Sequence, residues 1–115
     1  MRIKSEFWVK AYVRRCNSSG ASAVVVRHGD DDAGAIYIRV NRLDGTSLLF
    51  GPAAAGLDDM TYGRLFAALL GGQPASDEKV DAALEREGRI DSDLWIVEIE
   101  DREGRHFLVE PVEKG

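Results

Sequence analysis

The feature that most constrains the fold is an alternation of residue character around one Asp-Gly pair. Ile36, Ile38 and Val40 alternate with Tyr37, Arg39 and Asn41, Asp44 and Gly45 interrupt, and residues 47–50 run back. Period two sends neighbouring side chains to opposite faces of a strand, so this segment reads as a half-buried antiparallel hairpin. Its register follows from matching. A two-residue loop at Asp44 and Gly45 sets Val40 against Leu49 and Ile38 against Gly51. A three-residue loop of Leu43, Asp44 and Gly45 sets Val40 against Leu48 and Ile38 against Phe50. The second pairs apolar with apolar and gives Gly45 the left-handed position of a G1 bulge, so it is the expected register.

A second alternation lies near the end of the chain. Trp95, Val97 and Ile99 alternate with Ile96, Glu98 and Glu100, ahead of Arg102, Glu103 and Gly104. Read as another hairpin, it sets Ile99 against Phe107 and Val97 against Val109. It also predicts that Glu100 neighbours His106, where a carboxylate favours the charged imidazole and raises its pKa.

Two helices are expected. The first has Ser5 as its N-cap, a Glu6, Lys10, Arg14 ladder at i, i+4, and Gly20 as its stop. Phe7, Trp8, Val9, Ala11, Tyr12, Val13 and Cys16 spread around most of its circumference. That arc is wider than one packing face needs, so the helix is either buried on two sides or takes part in an interface. The second helix is capped by Ser76, runs to about Glu87 with Val80, Ala83 and Leu84 inward, and stops at Gly88. A β-branched strand at residues 23–26 lies between the first helix and the hairpin. Residues 62–70 are ambiguous: Tyr62, Leu65, Phe66, Leu69 and Leu70 fit a helical stripe, while Gly63, Gly71 and Gly72 weaken it.

Composition bounds the chemistry. A chain of 115 residues, 44% hydrophobic and 30% charged, is the size of one domain (residues 1–115) and can build a core without staples. No long apolar run suggests a membrane span, and the first ten residues lack the apolar core of a signal peptide. One cysteine fits a reducing cytoplasm. The net charge is −5, unevenly spread: residues 1–50 carry 8 Lys/Arg against 5 Asp/Glu, and residues 51–115 carry 7 against 15. An acidic chain is not expected to bind duplex nucleic acid.

Few groupings suggest catalysis. Asp30, Asp31 and Asp32 lack the ligand spacing of a calcium loop. Cys16, His28 and His106 lack zinc spacing. Cys16 reads as a small buried hydrophobe rather than a nucleophile, although Arg14 and Arg15 lie beside it. Arg15 falls inside the apolar arc, where a snorkelling side chain is the simpler reading. Arg39, Glu98 and Glu100 share polar strand faces and are candidate ligands for an anion or for acid–base work, with Arg15 and His106 beside them. The plainer account is a solvated strand face.

Several segments together resemble a known family. They are Phe7–Ala11 with Arg14–Cys16; Gly29–Asp30 with Asp32–Ala35; Val80–Ala82; and Asp91 with the long run Asp93–Leu108. They resemble "domain of unknown function 1491", a family of small bacterial proteins, over nearly the whole chain. The family brings no activity and no functional residue. The resemblance implies an extended segment around Arg64–Phe66, and a strand over residues 62–70 is therefore expected.

The expected architecture is α+β: an antiparallel meander sheet of five or six strands with two helices packed on one face. Trp8, Tyr12, Val24, Val26, Ile36, Ile38, Val40, Trp95, Val97, Ile99 and Phe107 should supply much of the core. The expected function is a non-catalytic, cytoplasmic protein-interaction module whose partner is another protein or a second copy. Phe7, Trp8 and Val13 are the interface candidates, and no cofactor or metal is expected. The alternative is a small enzyme or anion-binding domain, with Arg15 or Arg39 converging on Glu98 or Glu100 in a concave pocket.

Overall fold

The computed structural model describes residues 3–53 and 64–114. Along the chain run α1 (Ser5–Ser18), β1 (Ser22–Arg27), β2 (Ile36–Asn41), β3 (Thr46–Pro52), β4 (Phe66–Ala68), a 3-10 turn (Leu70–Gly72), β5 (Ala75–Ser76), α2 (Asp77–Ile90), β6 (Trp95–Glu100) and β7 (Val112–Glu113). The strands form one mixed sheet in the order β1-β6-β2-β3-β4-β7, with β5 also paired to β3.

The first hairpin has the expected register. Val40 faces Leu48 and Ile38 faces Phe50, and Gly45 sits at φ +87°. Leu43 also adopts a positive φ, of 62°, which sequence patterning did not indicate. The Asn41 carboxamide oxygen accepts from its backbone N–H at 2.8 Å and holds that conformation.

The last hairpin does not form. Both edges of β6 are occupied, by β1 antiparallel and by β2 in parallel, so residues 105–109 have no edge to pair with. The reason is visible in burial: Trp95, Ile96 and Val97 are all buried, as in an interior strand covered on both faces. After β6 the chain turns through Asp101 and Gly104 and crosses the α1 side of the sheet as an irregular strap. The sheet is therefore mixed rather than an antiparallel meander.

The helices lie on opposite faces, not on one. Trp8, Val9, Tyr12 and Cys16 of α1 pack with Ile36, Ile38, Val40, Trp95, Val97 and Ile99. Val80, Ala83 and Leu84 of α2 pack with Tyr37, Leu49 and Ile96, which have the opposite strand parity. Val24 and Val26 are exposed on the edge strand and leave the core, while Ala23 is buried and joins it.

Local capping also differs. Ser5 lies inside the first turn of α1 rather than capping it, and its buried hydroxyl donates to the Gly34 carbonyl at 2.7 Å. The first amides of α1 are instead met by carbonyls of the acidic loop: Ser5 N–H reaches Asp32 O at 3.2 Å, and Glu6 N–H reaches Asp31 O at 2.9 Å. Ser76 caps α2 as expected, accepting from Lys79 N–H. Gly88 does not end α2, which continues to Ile90. It leaves room for Arg27, whose Nη1 lies 2.4 Å from where a Cβ would stand. Around the ambiguous segment, Phe66–Ala68 is extended, in line with the expected strand; Tyr62 and Gly63 lie outside the described residues.

Candidate functional site

The candidate residues separate into three places. On the α2 side, Arg39 rises from β2 into the seam with α2 and is 9% exposed. Its Nε donates to Ser47 Oγ at 3.2 Å. Nη1 pairs with Asp81, and Nη2 lies 3.1 Å from an Asp77 carboxylate oxygen. Glu98, on the adjacent parallel strand, is 3.9 Å from Nε. Burial alone would lower the Arg39 pKa, but the bonds to Asp81 and Asp77 outweigh it and raise the value. Arg39 and Glu98 thus converge as expected, but Asp77 and Asp81 come with them. Asp77 and Asp81 take the Nη donors, Ser47 takes Nε, and the three carboxylates together would repel an anion. Glu100 is exposed and lies across from Asn41 and Ser22.

On the α1 side, Arg15 and His106 meet the strap of residues 105–111. Tyr12 donates its hydroxyl to His106 O at 2.5 Å, and Arg15 Nε donates to Phe107 O at 3.0 Å. Trp8 Nε1 donates to Glu110 at 2.7 Å. Arg15 Nη2 lies 4.0 Å from Glu110, a loose ion pair. The strap then adds Phe66 N–H to Pro111 O and the parallel β4–β7 ladder. Phe107 has φ 58°, a conformation held by the Arg15 bond to its carbonyl and by Leu108 N–H donating to His106 Nδ1 at 2.9 Å.

His106 is not beside Glu100. Its ring packs edge-on against Phe50 at 5.1 Å, on the α1 face, while Glu100 has the parity of the α2 face. Its pKa is lowered, not raised, because burial disfavours the imidazolium. Burial likewise raises the Tyr12 and Cys16 pKa values, so the cysteine is buried as the thiol. Trp8, an expected interface residue, is buried in this cluster and stacks on Tyr12 with centroids 4.9 Å apart.

The third place is a groove of about 370 Å³ between α1 and the edge strand β1. Val9, Val13, Val25 and Trp95 form its apolar floor and walls, with Glu6, Lys10, Arg14 and His28 around it. The His28 ring covers Trp95 with centroids 4.0 Å apart and pairs with Asp31 at 2.8 Å. Phe7 stands on the exposed side of α1, 56% exposed. Of the expected interface residues, Val13 lines the groove, Phe7 is surface and Trp8 is core. Sequence reasoning missed Val25 and His28 as groove residues. The available signal was three successive valines, which cannot all face inward from one strand.

The family model for a protein of unknown function, DUF1491, matches residues 3–109. The chain belongs to the DUF1491 family. A crystal structure of a DUF1491 protein from Caulobacter crescentus CB15 is 42% identical with a TM-score of 0.81, covering 99% of this chain and 100% of that one. An NMR structure of a DUF1491 protein from the same organism is also 42% identical, with a TM-score of 0.80 and 99% of each chain covered. A solution structure of an A. tumefaciens protein is 45% identical with a TM-score of 0.72, covering 87% of this chain and 86% of that one. No curated protein matches the chain. The DUF1491 description carries no biochemical activity, and among the described residues no helix is long and apolar enough to cross a membrane.

Proposed function

We propose that this DUF1491 protein is a non-catalytic protein-interaction module and that the groove between α1 and β1 is its binding face. One observation carries the reading: an apolar groove runs beside a sheet edge that has no neighbouring strand among the described residues. Exposed apolar surface joined to unpaired strand backbone is a docking feature. The alternative, an anion site at Arg39, is disfavoured because the guanidinium is already enclosed by carboxylates of its own chain. The buried free thiol of Cys16 suits a reducing cytoplasm, and the bacterial sources of the similar structures support a bacterial protein.

Photo-crosslinking in cells tests this. A benzophenone amino acid replacing Lys10 or Arg14 at the groove should yield a protein adduct, whereas one replacing Glu85 on the exposed side of α2 should not. Equal adducts from all three positions, or none from the first two, would sink the proposal.

A further inference from the structure

We infer that the occupant of this groove is an extended, acidic peptide segment of another protein, which adds as a strand to the free edge of β1. The inference rests on the interaction reading above and names the partner's chemistry.

Backbone geometry selects an extended partner. β1 pairs with β6 alone among the described strands. The Ala23 N–H donates to Asn17 Oδ1 at 3.0 Å, so it points away from β6. Alternation turns the N–H and C=O of Val25 the same way. The register breaks between Val25 and Arg27, which ends the regular edge. Asn17 at one end and this irregularity at the other leave a short edge, suited to one brief strand rather than open-ended pairing.

Side chains select an apolar residue. Val25 pairs with Val97, whose side chain belongs to the α1-side core, so Val25 also faces α1. A partner residue laid beside Val25 with the same parity enters the groove against Val9, Val13 and Trp95.

Charge selects acidic neighbours. Lys10 is 3.9 Å from Glu6, but Arg14 has no ion pair among the described residues, and His28 is held by Asp31. The rim is therefore left with an unmatched cation, although the chain is acidic overall. A second copy fits less well: its own β1, Ser-Ala-Val-Val-Val-Arg, holds no carboxylate to offer Arg14, and its one charged residue, Arg27, is turned to the α2 face and donates to Ser92 O.

The test titrates the isotope-labelled full chain with a short capped peptide of alternating Leu and Glu, followed by amide and indole NMR shifts. Shifts should concentrate on Val9, Val13, Val25 and the Trp95 indole. Replacing Glu by Lys should weaken binding about fivefold, as for exposed ion pairs. N-methylating the edge-facing peptide nitrogens should weaken it about tenfold through lost backbone bonds. Arg14→Glu should reverse the charge preference. If the N-methylated peptide binds equally well, strand addition is wrong while the interaction reading stands. Concentration-dependent shifts at the same residues without peptide, together with a dimer mass, would make a second copy the occupant and overturn this inference alone. An absence of peptide shifts overturns the inference as well; only the loss of the crosslinks too would remove the interaction reading.

Discussion

Arg39 and Arg15 both sit between a helix and the sheet, yet they are held in different ways. Arg39 is enclosed by Ser47, Asp77, Asp81 and Glu98, side chains of three regular elements, β3, α2 and β6. Arg15 is a third exposed, reaches one backbone carbonyl and faces Glu110 at 4.0 Å. The first arrangement locks α2 to the sheet. The second ties α1 to an irregular strap that has no ladder of its own until β7. A charged side chain in a seam is thus a poor indicator of ligand binding: both arginines are explained by what their own chain needs.

The largest effect should come from Arg39→Met. Removing the cation leaves the surrounding carboxylates without their counter-charge and Ser47 Oγ without its donor, and stability should fall by about 3 kcal/mol. Urea denaturation at neutral pH measures this, and a loss no larger than that of Arg15→Met would erase the contrast. Trp8→Phe comes next. It strips the indole donor from the largely buried Glu110 carboxylate and should cost about 2 kcal/mol. Arg15→Met should cost only about 1 kcal/mol, since one hydrogen bond and a partly exposed pair are lost. Hydrogen exchange should then rise in residues 105–111 and stay unchanged in α2; exchange rising in both would mean that the two seams act as one.

The smallest expected effect is a pH dependence confined to the strap. Burial lowers the His106 pKa below its ordinary value of 6.5, so the unfolded chain binds the proton more readily. Stability from this group is complete above 6.5 and is lost as pH falls through the folded value. Protonation also removes the acceptor used by Leu108 N–H. Asp101 behaves differently. The Arg105 side-chain bonds are the main cause of its depressed pKa, so its contribution persists until pH drops past 3.8 and on through the lower folded value. Denaturation midpoints from about pH 7 to about pH 5 should decline for the wild type and stay nearly level for His106→Gln. Parallel slopes would remove His106 as the cause.

What could be read from the sequence follows from locality. The β2–β3 hairpin was legible because its turn and its cross-strand partners lie within about fifteen residues and reward one register only. Arg39 and Glu98 were legible as neighbours in character because both have polar-face parity. Asp77 and Asp81 were not, because nothing local says that α2 lies across that face. The last hairpin misled for a related reason. Trp95 to Ile99 alternates convincingly, but Ile96 is apolar as well, and that one residue marks a strand covered on both sides. The resemblance to relatives pointed to an extended segment around Arg64–Phe66 where helical periodicity suggested otherwise, and the strand that forms runs over Phe66–Ala68.

The position of β6 has a consequence for how the protein is made. β1 is complete by residue 27, but its strand neighbour begins at residue 95. During synthesis α1 and β1 leave the ribosome long before β6 can receive them, while β2 and β3 can pair at once. Sheet closure therefore waits for β6, and such distant pairing slows folding. Until then the valines of β1 have two open edges instead of one, so a nascent chain stalled before Trp95 is the form most prone to associate with its neighbours.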